Sequence, residues 1–246
     1  MKDRIRQLKK ELVESCKKCN GVGYVQQNNN DLIECECWKQ YAFYVGLKYR
    51  GIDDEYWQLT LDDWRGDQKV KQEIMSYIQN LDNVFKSGLS VCFIGSNGVG
   101  KTLAAILILK EAYKKGYSIY FTTLSELLEK TKESYDDKFE EREIFHEWYS
   151  GLQEVDFLVL DDFGGEYIPK DFGKYTVSRC DLLFRFRRRN NLPTILTTNL
   201  TQEEFLERYG SALKSIINSR FKIIVIHGLD FRLSQGKQWN RLLTGG

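Results

Sequence analysis

Residues 91–102 read VCFIGSNGVGKT, and this stretch decides how the rest of the chain is interpreted. The pattern Gly-x-x-x-x-Gly-Lys-Thr runs from Gly95 to Thr102 and directly follows an apolar run that is typical of a β-strand. Glycines in such a turn let successive backbone N–H groups point at phosphate oxygens, and a helix that begins near Lys101 adds the positive end of its dipole. The stretch therefore predicts a phosphate-binding loop, because a glycine-rich turn without a ligand would not require the Lys-Thr pair.

The residues of this loop have predicted roles in binding a nucleoside triphosphate. Lys101 is expected to reach the outer phosphates, and Thr102 is expected to hold Mg²⁺ through its hydroxyl. The residues expected to line the phosphates are Gly95, Ser96, Asn97, Gly98, Val99, Gly100, Lys101 and Thr102.

The composition of the 246-residue chain is that of an ordinary globular protein, with 42% apolar and 29% charged residues. The net charge of +1 excludes a globally basic protein, so contact with nucleic acid would need a local patch. The N-terminus lacks the apolar core of a signal peptide, and no apolar run reaches the roughly eighteen residues of a membrane span. We therefore expect a cytoplasmic protein without a membrane partner.

Six cysteines are present, and four of them form two close pairs near the N-terminus. Two residues separate Cys16 from Cys19, one residue separates Cys35 from Cys37, and fifteen residues lie between the pairs. This spacing is typical of a four-thiolate zinc site, with free or redox-active thiols as the alternative. A closed site of this kind serves folding and recognition and not catalysis.

The cysteine module predicts a small zinc-binding domain in residues 1–50, followed by a second domain in residues 51–246. The segment that joins them is too rich in aromatic residues for a flexible linker. Tyr56 and Trp57 have two interpretations, either a cover for an adenine base or, more often for aromatics in this position, core packing. Further along, apolar spacing predicts one helix from Asp67 to Lys86.

Strands and helices alternate after the phosphate-binding loop, which predicts an α/β domain with a five-stranded parallel sheet. Besides the strand before the loop, the predicted strands are residues 118–122, 155–162, 193–198 and 221–226. Asp161 and Asp162 end the second of these, and we expect Asp161 to hold Mg²⁺ through water and Asp162 to polarise the attacking water. Asn199 follows the third, where its amide would orient that water or contact the third phosphate.

Basic residues are concentrated in the helix predicted before residue 193 and near the last strand. The helix carries five candidate DNA-binding residues, Arg179, Arg185, Arg187, Arg188 and Arg189. Two phenylalanines among them would either stack on bases or be buried while the arginines stay solvated, and the sequence favours neither reading. Arg220 precedes the last strand and Arg232 follows it. One of them acting on a neighbouring subunit's nucleotide and the other in cis would indicate an oligomeric ATPase.

Together these motifs resemble the successive boxes of the AAA+ ATPases of the DnaC/IstB type. The resemblance spans about residues 50–235 and rests on Gly95 to Thr102, VLDDFG at 159–164, ILTTN at 195–199, SRF at 219–221 and DFR at 230–232. It implies that ATP is the nucleotide, that Lys101 and Thr102 belong to Walker A, and that Asp161 and Asp162 belong to Walker B. By the same resemblance Asn199 is sensor 1, Arg220 the arginine finger and Arg232 sensor 2. The helix from Arg179 to Arg189 resembles an insertion that lines a single-stranded DNA path, and the helical lid of AAA+ proteins is expected to be absent.

The zinc module ahead of such an ATPase resembles the DnaI and phage-type loaders of replicative helicases, in which the N-terminal domain grips the helicase. The resemblance implies an ATPase that delivers a hexameric helicase to single-stranded DNA and that itself assembles into a hexameric ring or spiral. Two alternatives stay open, an IstB-like ATPase that selects transposition targets and a nucleotide-switched DNA-binding adaptor without significant hydrolysis. Asp162 stands where many AAA+ proteins carry the longer glutamate, so we expect slow hydrolysis.

Overall fold

The computed structural model describes residues 2–27, 31–133, 139–164, 170–201, 203–204, 207, 215, 217–228 and 230. The chain divides into two compact units, residues 1–58 and 59–246. The division falls eight residues after the expected one, because the segment after residue 50 packs within the first unit. Ile52 is buried there, and the Trp57 ring is buried and stacks on Tyr44 with 6.0 Å between ring centroids. Trp57 is therefore a core residue of the first unit.

The described residues of the first unit form two α-helices and a short hairpin. Helix α1 (Lys2–Lys9) continues into one turn of π-helix (Lys10–Glu14), and its apolar side chains Leu8 and Val13 are buried. Strands β1 (Tyr24–Gln26) and β2 (Leu32–Glu34) pair in the antiparallel sense, and helix α2 (Glu36–Tyr49) follows directly.

The second unit is built on the predicted five-stranded sheet, in which every neighbouring pair of strands is parallel. Its strands are β3 (Ser90–Ile94), β4 (Ile119–Thr123), β5 (Phe157–Asp161), β6 (Thr194–Thr198) and β7 (Phe221–Val225), in the order β4-β5-β6-β3-β7. Strands β3, β5 and β6 are buried at every position. Sequences that are apolar on both faces form such strands when helices cover both sides of a sheet.

Besides the helical residues 217–220, six α-helices of the second unit have defined bounds in the described residues. They are α3 (Gln68–Gln79), α4 (Leu81–Ser87), α5 (Lys101–Lys114), α6 (Leu124–Glu133), α7 (Phe139–Glu154) and α8 (Lys170–Arg189). The single helix expected from Asp67 to Lys86 is two helices, since the backbone leaves helical geometry at Asn80, whose side-chain amide donates to the Ser76 carbonyl. Among the helices that the structure describes, none is long and apolar enough to span a membrane.

The arrangement of strands brings the predicted motifs to one edge of the sheet. The core beneath them includes Cys92 and Cys180, which are fully buried. Because all five strands run the same way, the ends of β3, β5 and β6 meet at the carboxyl edge. The phosphate-binding loop, the two aspartates and the asparagine therefore lie next to one another.

Candidate functional site

The phosphate-binding loop connects β3 to α5 and is held on several sides. Gly98 and Gly100 have φ angles of +74° and +100°, which side chains other than glycine rarely adopt. A Cβ on Gly100 would lie 3.3 Å from the ring of Trp64, and the Asp230 carboxylate leaves no room for a side chain on Gly98. The Gly95 N–H donates to the Thr198 carbonyl at 3.2 Å, so the start of the loop is tied to β6.

Lys101 and Thr102 lie at the start of α5, as the motif predicts. The Lys101 side chain is buried, and its Nζ donates to the Ser96 carbonyl at 2.7 Å. This contact keeps the ammonium over its own loop, where phosphate oxygens would offer stronger acceptors. The Thr102 hydroxyl donates to the Asp161 carboxylate, with 3.1 Å to Oδ1 and 3.2 Å to Oδ2.

Asp161 ends β5 and is almost completely buried. Burial raises the pKa of this carboxyl, while hydrogen bonds from Thr197 and Thr102 lower it part of the way back. A threonine hydroxyl beside a carboxylate is a set of hard oxygen donors, which is the set that Mg²⁺ prefers. The residues present therefore fit a magnesium ion bound together with a triphosphate.

Asp162 follows immediately but has a different environment. Its backbone has a φ of +55°, its side chain is exposed, and its Oδ1 accepts a hydrogen bond from the Asn199 amide at 2.9 Å. The structure thus places Asp161 inside the core beside Thr102, and Asp162 outside it beside Asn199. A carboxylate and an amide so arranged are suited to orient a water molecule near the outer phosphate.

Two residues of the site are missing from the sequence-based prediction. Thr197 binds both aspartates through one hydroxyl, and Trp64 packs against the loop at Gly100. The sequence signal for Thr197 is the alternation of side chains along β6, because residues two apart in a strand share a face and Thr197 lies two residues before Asn199. No comparable signal marks Trp64, whose position depends on a fold that brings the segment after residue 58 back over the loop.

The predictions for Arg220 and Arg232, the two arginines near the last strand, have different results. Arg232 lies outside the described residues. Arg220 directly precedes β7 and donates to the Ser87 carbonyl at 2.9 Å. Since Phe221 pairs with Ser90 at the start of β3, Arg220 lies at the amino edge of the sheet, opposite the phosphate-binding loop of its own chain.

The structure contradicts the predicted DNA contact of Arg187 in the basic helix. Its side chain is only 1% exposed, and it donates to the Thr194 hydroxyl and to main-chain carbonyls at the end of α7 and the start of β6. Burial lowers the pKa of its guanidinium to about 9. All of its donor edges face the protein interior, so the expectation that Arg187 contacts DNA is wrong.

Three of the other arginines line a groove between α7 and α8. The groove has a volume of about 480 Å³, and its wall includes Arg179, Arg185, Arg189, Tyr149 and Phe186. The Arg179 guanidinium lies over the Tyr149 ring at 5.8 Å, and Arg185 forms an ion pair with Asp181 on the same helix. Arg188 is exposed but lines a different, small cleft together with Arg220. Phe184 is buried in the core, so only Phe186 of the two phenylalanines is placed to meet a ligand.

The four N-terminal cysteines form a cluster in the first unit. Their Sγ atoms all lie within 4.8 Å of one another, and the Cys16–Cys35 and Cys19–Cys37 separations are 3.9 and 3.5 Å. Tetrahedral zinc with bonds of about 2.3 Å would place sulfurs about 3.8 Å apart, so the cluster fits that ion.

Local hydrogen bonds and charges agree with this fit. The Gly23 N–H donates to the Cys19 sulfur at 3.2 Å. Backbone N–H groups of Cys19 and Lys18 lower the pKa of Cys16 to about 7, whereas desolvation and the neighbouring thiols raise the pKa of Cys37. A cation bound among the four sulfurs would stabilise them as thiolates despite their closeness.

Comparisons with known proteins agree with the motifs. A family model described as IstB-like ATP binding protein matches residues 57–235. The ATP-binding protein of insertion sequence IS5376 from Geobacillus stearothermophilus is 25% identical over 190 residues, which cover 76% of this chain and 67% of that protein. Its counterpart from insertion sequence IS232 of Bacillus thuringiensis subsp. berliner is 26% identical over 168 residues, covering 66% and 62%. The matched region thus spans about two thirds of the length of these relatives.

Solved structures share the fold of the second unit. The DnaC helicase loader superposes with a TM-score of 0.60 and 23% identity, covering 71% of this chain and all of that chain. DnaI superposes with a TM-score of 0.57 and 20% identity, covering 73% and 93%. At these identities the likeness concerns the fold alone.

Proposed function

The chain belongs to the family of IstB-like ATP-binding proteins, and we propose that it is an ATP-driven loader that places a hexameric replicative DNA helicase on single-stranded DNA. It is an AAA+ ATPase of the DnaC/IstB type. The observation that carries the loader proposal is the separate cysteine unit, because residues 1–58 lie almost wholly before the region that the family shares. The ATPase therefore has an additional module that is suited to holding a protein partner.

The exposed apolar residues of the first unit support this role. Ten large hydrophobic side chains are exposed among the described residues, and half of them lie in residues 1–58. Four of these lie in the hairpin or directly before it, namely Val22, Tyr24, Leu32 and Ile33, with exposures of 68, 40, 72 and 43%. Apolar side chains grouped on so small a unit are typical of a protein-binding surface. We infer that this hairpin surface contacts the helicase and that zinc, bound by the four cysteines, keeps the hairpin folded.

Hydrolysis in this proposal uses the residues gathered at the carboxyl edge of the sheet. Loop N–H groups and Lys101 hold the phosphates, and Thr102 with Asp161 would hold Mg²⁺, which supplies charge neutralisation on the phosphate oxygens when bound. Asp162 and Asn199 orient the attacking water. The Asp162 carboxylate is one methylene shorter than a glutamate, so slow turnover suited to an ATP-dependent switch is expected.

The groove between α7 and α8 supplies a path for single-stranded DNA. Arg185 and Arg189 stand at its rim for phosphates, while Tyr149 and Phe186 offer ring faces on which bases stack. We assign the DNA contact to this groove and not to the whole basic patch, since Arg187 is buried and Arg188 faces another cleft.

The loader proposal is tested by the mass of a complex. The full-length protein is mixed with the replicative helicase of its source organism, with ATP, and light scattering is recorded. We expect a stable complex that is lost in Leu32→Glu and after zinc is removed with a chelator. Ile144→Glu is the matched control, because Ile144 is 66% exposed but lies in the second unit. A complex that survives Leu32→Glu, or no complex at all, would contradict the proposal.

The family assignment favours a second candidate, a target-selection ATPase of transposition. Relatives that are similar in sequence include ATP-binding proteins of insertion sequences. That function predicts ATP-dependent filaments on duplex DNA and a transposase partner. Filaments on duplex DNA, together with no helicase complex, would decide for it.

A further inference from the structure

Thr197 connects the two acidic residues of the ATP site through a single hydroxyl group. Its Oγ1 donates to Asp161 Oδ1 at 2.6 Å and accepts from the Asp162 backbone N–H at 2.9 Å. Its carbonyl accepts from the Phe163 N–H at 2.8 Å. We propose that Thr197 is a positioning residue for ATP hydrolysis, which fixes the metal-side carboxylate and the water-side carboxylate relative to each other.

The hydroxyl is well suited to this role because water cannot replace it. Thr197 is 1% exposed, and its neighbours on β6 are equally buried. A hydroxyl has one proton, so donating it to Asp161 leaves only the oxygen to receive the Asp162 N–H. The direction of both hydrogen bonds therefore depends on the orientation of the single Thr197 hydroxyl group.

Each of the two bonds has its own consequence. The Asp161 carboxylate accepts hydrogen bonds from both Thr197 and Thr102. Together these two bonds orient the carboxylate toward the predicted magnesium position. The bond from the Asp162 N–H supports a backbone with a φ of +55°, which is unfavourable for an aspartate and needs local support. Without the hydroxyl, Asp161 loses a donor and Asp162 loses the contact that keeps its carboxylate beside Asn199.

The inference predicts a defect that depends on magnesium. The Thr197 hydroxyl bonds Asp161 and Asp162, whereas Lys101 bonds the Ser96 carbonyl, so binding of nucleotide in EDTA should be nearly unchanged in Thr197→Val. The gain in affinity on adding Mg²⁺ should fall about tenfold, and kcat should fall about ten- to a hundredfold, as expected for losing a hydrogen bond to a charged group. A fluorescent ATP analogue measures the first two quantities, and phosphate release measures the third.

Two further variants separate positioning from general damage. Thr197→Ser keeps the hydroxyl and should restore both readouts to within about threefold. Thr122→Val removes another buried strand hydroxyl, which binds the Glu126 carboxylate, and should leave magnesium-dependent binding and turnover unchanged. Binding in EDTA reports whether each variant is folded, and Thr197→Ala replaces the valine variant if that one is not.

Two results would contradict the positioning role of Thr197. Normal magnesium dependence in Thr197→Val, or a serine variant as defective as the valine variant, would show that the hydroxyl does not position the carboxylates. The test uses only the protein, nucleotide and Mg²⁺. Its outcome is therefore independent of whether the chain loads a helicase.

Discussion

Arg187 joins two segments of the chain by donating hydrogen bonds to main-chain carbonyls of both. It binds Leu152, Gln153 and Val155 at the end of α7 and just after it, and Pro193 and Thr194 at the start of β6. We expect Arg187→Met to lower the free energy of unfolding by about 3 kcal/mol or more, because several buried carbonyls lose their partner at once. Arg187→Lys should fall between wild type and the methionine variant, since an ammonium replaces only part of the planar fork. Urea unfolding measures both.

The neighbouring arginine provides the comparison for that experiment. Arg188 is exposed, so Arg188→Met should leave the free energy of unfolding almost unchanged. Equal stability of the two methionine variants would mean that Arg187 does not stabilise the fold, and its burial would need another explanation.

Helical spacing contained the information that Arg187 is buried. Cys180, Leu183, Phe184 and Arg187 follow the i, i+3, i+4, i+7 spacing of one helix face, and all four are buried. The charge of a run of arginines suggests that all of them are exposed, although the helical spacing places each of them on a different face of the helix. By contrast, Lys101, Thr102, Asp161 and Asn199 were predictable, because their residue types and the direction of parallel strands determine where they meet. Thr197 was harder to predict, since a threonine in an apolar strand usually needs no function.

The groove between α7 and α8 makes a prediction about salt dependence. Each arginine that neutralises a phosphate of single-stranded DNA contributes about 0.7 to the slope of log affinity against log salt. We expect Arg185→Gln and Arg189→Gln each to reduce the slope by about that amount, measured by fluorescence anisotropy with an oligonucleotide at several salt concentrations. Phe186→Ala should weaken binding without changing the slope, because it removes stacking and not charge.

Arg188→Gln is the control for the groove, since it removes the same charge from the same helix on another flank. Its slope should equal that of the wild type. If Arg188→Gln reduces the slope as much as Arg189→Gln does, DNA follows the basic patch as a whole and the groove assignment is wrong.

Element boundaries show a different limit of prediction from sequence. The sequence predicts the ends of each strand to within one or two residues, because apolar runs bounded by polar residues are short and distinct. The helix from Asp67 to Lys86 was predicted as continuous because its apolar spacing continues through Asn80, where a side-chain hydrogen bond to the backbone interrupts the structure. Sequence alone assigns residues 51–58 to the ATPase domain, because the contact between Trp57 and Tyr44 that holds them in the first unit is not local in sequence.

At the scale of the whole molecule, the position of Arg220 bears on assembly. Strands β3 and β7 are parallel, with Ser90 opposite Phe221 and Ile94 opposite Val225. Arg220 is therefore separated from the phosphate-binding loop of its own chain by the length of the strands, about 17 Å at about 3.3 Å per residue. One side chain does not span that distance. If Arg220 acts on a phosphate, the nucleotide belongs to a neighbouring subunit.

Mixing two inactive variants tests this arrangement. Lys101→Ala removes phosphate binding but keeps Arg220, and Arg220→Ala keeps a complete phosphate-binding loop. Each variant alone should lack hydrolysis, with ATP binding retained in Arg220→Ala. In a 1:1 mixture, random assembly places an intact loop against an intact Arg220 at one interface in four, so about a quarter of the wild-type rate should return. Normal turnover by Arg220→Ala alone would exclude the trans role, and a mixture that stays inactive would contradict sharing of the site between subunits.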